Sequence, residues 1–292
     1  MTTAIGFALA AMVFNGLTDF AFKKAAAGSM AGAFRMHQFI VAQSVLFCSS
    51  MIVYGLVARE LVAGPHMWLG ALAGVFMFIG FTCFAWSLQH GNVSVNAPIF
   101  RLNFLVTAAL AMLLLGEPPV AVKLLGLGLA LAAIWLLVGA GGGSTKAGAL
   151  LSPEARRSLL LAITATLALG AGNTIHKVGL SMGGTPATQL ATHSFVYLVL
   201  SAIWAFRADR GLVVPAAVWP VACAGAFMGA CGFISMMQGL TIGQASVIVP
   251  IAQMGLVVSA ALGIVVLGER LTGRKLAGLA AAVAALAALA VS

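Results

Sequence analysis

With 62% hydrophobic and only 7% charged residues over 292 positions, the chain is far from a water-soluble globule, where charged residues approach about a quarter. Its mean hydropathy of +1.11 agrees. The net charge of +9 is spread over short loops and helix ends without a basic run or stripe, which argues against nucleic-acid binding and suits residues that orient membrane spans.

A bilayer core takes about 20 apolar residues per helix, and segments of that length recur at roughly 3–24, 36–57, 67–89, 93–115, 121–139, 157–178, 188–206, 217–239, 244–267 and 274–291. The expected fold is therefore an all-α membrane protein with ten transmembrane helices. The first segment lacks a basic leader and runs on to Asp19, Lys23 and Lys24, so it reads as a retained span and not a cleaved signal. Cys48, Cys83, Cys223 and Cys231 lie inside apolar stretches without Cys-x-x-Cys spacing. They read as small core residues, and no metal or cofactor is expected. A His-Glu-x-x-His helix and a Gly-x-Ser-x-Gly elbow are both missing from the sequence, so an intramembrane enzyme has no support.

The two halves match. Shifting the chain by 152 positions lays Gly91, Ser94, Val95, Pro98 and Ile99 on Gly243, Ser246, Val247, Pro250 and Ile251. The same shift lays Leu115-Gly116-Glu117 on Leu267-Gly268-Glu269, and Lys123 and Gly126 on Lys275 and Gly278. Near the start of each half, Gly16 and Lys23 match Gly170 and Lys177, and His37 and Phe39 match His193 and Phe195. The boundary falls in the Gly/Ser-rich stretch 139–152, a linker; residues 139–146 only superficially resemble a phosphate loop. This gives a first five-helix repeat over 1–146 and a second over 147–292. An odd number of spans per repeat turns the second copy upside down, the architecture of alternating-access carriers.

Polar residues inside spans cost free energy unless they face a cavity or one another. At 1.5 Å per residue, Arg101 is expected about 12 Å inside span 4 and Asp19 roughly 8 Å inside the end of span 1. Asn15, Asp19, His37, Trp86, Arg101 and Asn103 all approach the same membrane side. Asn173, His176, Lys177, His193, Gln238 and Gln253 form the matching set toward the other. The expectation is two half-sites lining one path, with Arg101 as the anchor for an anionic group and Trp86 as an apolar wall. Asp19 and His37 are candidates to carry a coupling proton. Other readings stand beside this one. Asp19 has an i,i+4 neighbour in Lys23 for a private ion pair, His37 and His193 begin their helices and can bond loop carbonyls, and Lys23, Lys24 and Arg35 can snorkel. Pro98 and Pro250 free carbonyls at the same repeat position and are expected to kink their helices. Gly70-x-x-x-Gly74 and Gly225-x-x-x-Gly229 read as close-packing faces.

Gly16 with Lys23, Pro98…Leu115-Gly116-Glu117…Gly126 and its repeat Pro250…Leu267-Gly268-Glu269-Arg270-Leu271-Thr272…Gly278 resemble the drug/metabolite transporter superfamily, in its ten-helix EamA-type branch. The resemblance covers essentially the whole chain. It implies a secondary carrier, sufficient as a monomer, with a central cavity lined mainly by spans 1–4 and 6–9 and with spans 5 and 10 as peripheral supports. It also implies export of a small metabolite across the bacterial inner membrane. Glu117 and Glu269 match family-wide turn positions and are assigned to structure. Asp19 and Arg101 depart from the usual pattern. An acid and a base in one cavity suit an amino acid or an organic anion, ahead of an amine or toxic cation; a channel or a scaffold is the remaining alternative. Counting basic residues by side favours both termini outside the cell.

Overall fold

The computed structural model describes residues 2–27, 36–90, 93–138, 153–210, 214–268 and 271–292. The boundary stretch 139–152 lies outside the described residues, as do Arg35, Glu269, Arg270 and the side chains of Lys23 and Lys24. The elements among them are helices: α1 (Thr2–Ala27), α2 (Met36–Ala58), α3 (Met67–His90), α4 (Val93–Arg101), α5 (Asn103–Leu114), α6 (Ala121–Val138), α7 (Pro153–Ser181), α8 (Pro186–Asp209), α9 (Trp219–Ile242), α10 (Ala245–Gln253), α11 (Gly255–Leu267) and α12 (Gly273–Ala290). A 3-10 turn (Ala216–Val218) leads into α9.

Among the described residues, eight segments are long and apolar enough to cross a bilayer, one of them the combined α10–α11 stretch. Two further apolar segments, Pro98–Leu114 and Ala121–Leu137, are shorter. The expected spans 93–115 and 244–267 are not continuous helices. Each is divided, α4 from α5 and α10 from α11, four residues beyond its proline. The Leu102 N–H turns back to Ile99 O at 3.0 Å and the Met254 N–H to Ile251 O at 3.1 Å, a tighter closure than the α-helical bond. One turn on, Leu105 N–H meets Leu102 O and Val257 N–H meets Met254 O, both at 2.9 Å. The two breaks are copies at a spacing of 152 residues. Proline removes a helical donor and disturbs the preceding turn, and broken helices survive at membrane depth only where other groups satisfy the backbone.

Lipid offers no hydrophobic drive for helix association, so close approach of small residues does much of the packing. The close contacts come in pairs related by exchanging the halves. A Cβ on Gly16 would lie 2.5 Å from Gly255 O and from Val258; one on Gly170 would lie 2.9 Å from Asn103 O and 2.4 Å from Val106. Asn103 and Val106 are the residues 152 positions before Gly255 and Val258. Likewise Gly126 packs on Leu289, and Gly278 on Leu137. In this way α1 embraces α11 and α7 embraces α5, while α3 packs on α7, α9 on α1, and α2 on α8. α6 and α12 lie mainly against each other, with Ala130, Ala133, Ala282 and Ala285 fully buried.

Gly70 and Gly74 sit hard against Thr192 and the His193 carbonyl of α8, as a close-packing face should. The second pair differs: Gly229 faces open space, so only one of the two expected glycine faces is used at both positions. Gly116 (φ +66°) and Gly268 (φ +65°) end α5 and α11 in the left-handed conformation that glycine adopts without penalty.

One end of the bundle is clamped. We call the end where α1 begins the N-terminal face. There the Glu117 carboxylate accepts the Ala245 N–H at 2.7 Å, the Ser246 N–H at 2.9 Å and the Ser246 hydroxyl, capping α10. A carboxylate at a helix N-terminus satisfies free donors and meets the positive end of the helix dipole. Lys123, wholly buried, donates to Pro118 O at 2.9 Å and to Gln244 Oε1 at 2.5 Å. Lys177 ties off α9 through Leu240 O and Gly243 O at 2.6 and 2.7 Å.

Candidate substrate site

The deepest charges of the bundle meet at the helix breaks. Arg101 ends α4, and its guanidinium donates to the Asp19 carboxylate of α1 and, at 3.4 Å, to Gln253 Oε1 at the end of α10. Asp19 thus reaches across the bundle, while the expected Asp19–Lys23 pair involves a side chain outside those described. α1 continues to Ala27, which puts Asp19 eight residues, about 12 Å, from the face it approaches. Arg101 is eight residues from the start of α4, so the two charges are level. Their side chains are 17% and 26% exposed, neither sealed in nor turned to open surface.

Side chains from the opposite half satisfy both breaks. Asn15 of α1 donates to Ala252 O of α10 at 3.0 Å, and Thr166 of α7 donates to Ile99 O of α4 at 2.7 Å. The charges themselves are not repeated. The shift that pairs Gly16 with Gly170 pairs Asp19 with Asn173, and Arg101 pairs with Gln253. The fold accepts amides at these positions, so it does not by itself demand an acid and a base. Asn103 lies buried at the start of α5 and donates to Phe100 O at 2.8 Å. Its Oδ1 and the Asn173 Nδ2 are buried without a hydrogen bond.

The remaining sequence candidates lie elsewhere. His37, in the first turn of α2, does not reach Arg101; it bonds Asp209 of α8 at 2.8 Å, which Gln38 also reaches at 2.9 Å. Both residues expected to carry a coupling proton are thus bonded to side chains of other helices. Trp86 is partly exposed and stands edge-on to Trp204, 5.8 Å between centroids, and Trp204 in turn meets His37. Gln238 donates to the Tyr54 hydroxyl at 2.7 Å. His193 lies two turns inside α8 and not at its start, because that helix begins at Pro186 behind the Thr185 cap. It bonds His176 of α7 at 3.1 Å and not a loop carbonyl. Pro98 and Pro250 stand one turn before the breaks.

Sequence reasoning missed an aromatic belt. Phe84 stacks on Phe100 at 3.9 Å, Phe100 meets Phe81, Phe81 meets Tyr197, and Tyr197 meets His193. His193 then contacts Phe47 and Phe233. The belt runs from the neighbour of Arg101 to the histidine pair. Aromatic residues in an apolar span carry no signal of which way they face, so only packing reveals it. Asp209 was also missed; its clue was an acid near the end of span 7, on the side from which span 2 starts with His37.

A helical bundle with broken, cross-braced helices and a charge pair at their junction has the build of a membrane transporter. The chain belongs to the EamA-like transporter family, which matches it twice, over residues 2–139 and 156–291. No curated protein matches it. A solved crystal structure, described only as that of a protein, is similar over 99% of this chain and 96% of its own, with a TM-score of 0.81 at 16% identity. That likeness speaks to the fold. The twofold family match places it in the drug/metabolite type of transporter.

Proposed function

We propose that this protein is a secondary transporter of ten spans, arranged as two inverted five-helix repeats (1–146 and 147–292) around a central cavity. It moves a small metabolite bearing a carboxylate, an amino acid or an organic anion, by alternating access. The observation that carries the reading is the Arg101–Asp19 pair at the junction of the two broken helices, with Gln253 beside it. A substrate carboxylate takes the Arg101 guanidinium, and the ammonium of an amino acid takes Asp19. The substrate enters by exchanging one ion pair for two. A lipophilic amine is the poorer fit, since the acid it needs is already neutralised by Arg101.

The clamp at the N-terminal face supports alternating access. Glu117 and Lys123 of the first repeat grip the α9–α10 turn of the second, and α10 packs along α5. Among the described residues, the corresponding approach of α4 to α11 is much the weaker. In this reading the N-terminal face is the closed end and the opposite face the open one. Rocking one repeat on the other exchanges the two ends. We place the protein in the inner membrane as a metabolite exporter, with both termini outside; a reporter fused to the C-terminus and active only in the cytoplasm overturns that orientation.

The experiment is a thermal-shift screen of the purified protein against amino acids, dicarboxylic acids and primary amines, repeated on Arg101→Gln. The reading expects amino acids or carboxylic acids to stabilise the parent and to leave Arg101→Gln unmoved. Stabilisation by amines alone, or an unchanged response in Arg101→Gln, contradicts it.

A further inference from the structure

Two histidines meet in the interior, away from the Arg101 site. His176 of α7 is fully buried and His193 of α8 is 3% exposed, and the His176 Nε2 lies 3.1 Å from the His193 Nδ1. At that distance one nitrogen must carry a proton and the other accept it. The neutral pair has two protons for four ring nitrogens. One proton bridges the rings, and one of the two outer nitrogens is left bare.

The surroundings are those of a built pocket. Gln189 lies against His176, and its amide is oriented by donating to His66 O at 2.8 Å. This leaves Gln189 Oε1 turned the other way, buried and without a hydrogen bond, and His176 Nδ1 is likewise buried without one. An acceptor and an imidazole nitrogen are thus unpaired side by side, and a proton on that nitrogen joins them. Phe47, Tyr197 and Phe233 surround His193. The titratable groups near the pair are Cys48 on α2, Tyr197 on α8, Lys177 on α7 with its ammonium held by Leu240 O and Gly243 O, and His66 of the α2–α3 connection beyond Gln189. Among the described residues no carboxylate bonds either ring.

We propose that His176 and His193 form a proton-binding site, which takes one extra proton at its free outer nitrogen, the charge being shared across the bridge, when the N-terminal face opens and gives it back to water when that face closes. The step is a bare proton transfer: a hydronium ion from the opened end supplies the proton to the free outer nitrogen, and the product is an imidazolium–imidazole pair. With aromatic rings around it and, among the described residues, no carboxylate bonded to it, that cation is poorly solvated in the closed arrangement; water solvates it in the open one. Two chains of contact tie the site to Arg101. One is the belt from Phe100 through Phe81 and Tyr197 to His193. The other runs from Ala252 through Asn15, which a Cβ on Gly232 would touch at 2.8 Å, to the adjoining Phe233. As the proton site of a carrier the pair rests on the transporter reading; as a proton site it does not.

The chain has five histidines, few enough to follow each ring by nitrogen-15 NMR of the full-length protein in lipid nanodiscs from about pH 4 to about pH 9. The expected result is a joint titration of two rings, with a nitrogen–nitrogen coupling across their bridge in the unsubstituted protein. His193→Gln is expected to remove the joint step from His176 as well. In Glu117→Ala, which loosens the N-terminal clamp, the charged fraction at a given pH is expected to rise at least about twofold, the smallest change that clearly departs from an unaltered equilibrium. Two rings that stay neutral throughout, or that titrate independently with no coupling, overturn the proposal. The measurement needs no substrate, so a failed titration leaves the Arg101 reading standing, and a failed ligand screen leaves the titration standing.

Discussion

Arg101 and Gln253 hold the same position in the two halves of the chain, 152 residues apart, and their side chains touch at 3.4 Å. Equivalent residues of a duplicated bundle meet only near the axis that relates the copies. The helix breaks, the cross-bracing by Asn15 and Thr166, and the Asp19 carboxylate all gather there. A charge pair deep in the bundle thus lies beside the axis that relates the two repeats.

The ion pair and its amide counterparts make a double-mutant cycle informative. Asp19→Asn leaves Arg101 without its carboxylate, and Arg101→Gln leaves Asp19 without its cation. A fully buried pair loses ~3–5 kcal/mol when one partner is removed. At 17% and 26% exposure, about 1–3 kcal/mol is expected for each single variant. The double variant Asp19→Asn/Arg101→Gln copies the amides of the second repeat and is expected to recover most of that loss. Equilibrium unfolding in detergent reads all four corners, and a double variant no better than the worse single one refutes the compensation.

The clamp is expected to matter more for conformation than for folding. Glu117→Ala frees the first donors of α10, a loss of about 1–2 kcal/mol for a helix cap, and Lys123→Met releases Gln244. In a variant without the native cysteines, Val247→Cys is buried at 2% exposure. It should react slowly with a membrane-impermeant maleimide and faster by roughly tenfold once Glu117 is replaced, the equivalent of about 1.4 kcal/mol. Equal rates with and without Glu117 contradict a gate at this end.

Glycines separate close packing from open space. Gly16→Ala puts a methyl group against Gly255 O, and a loss of about 1–3 kcal/mol is expected from overpacking at the repeat junction. Gly170→Ala, its counterpart, should behave alike. Gly229→Ala meets nothing within 4 Å and should be neutral or gain up to about 1 kcal/mol from helix propensity. Thermal midpoints of the three variants test the ordering, and a costly Gly229→Ala is the contrary result.

Much of this architecture could be read from the residues, for identifiable reasons. Span length and the order of Pro, Gly, Glu and Lys across the repeat survive as one-dimensional patterns, so the helices and the duplicate breaks were legible. Partner choice was not. Asp19 has Lys23 one helical turn away in sequence, whereas its bond to Arg101, 82 residues distant at the end of α4, is set by how the helices pack. His37 and His193 match in the repeat yet have different company, an acid in one case and a second imidazole in the other. Pairing of that kind depends on which faces meet between helices, a property no single helix encodes.

The most direct test of a two-ended carrier uses two pairs of spin labels at repeat-equivalent exposed positions. Val120 and Thr241 flank the N-terminal clamp, and 152 residues away in each case Thr272 and Gln89 flank the opposite end. Double electron–electron resonance measures both distances before and after Glu117→Ala. Alternating access predicts opposite shifts: Val120–Thr241 lengthens while Gln89–Thr272 shortens. Distances that stay fixed, or that change in the same direction, contradict it.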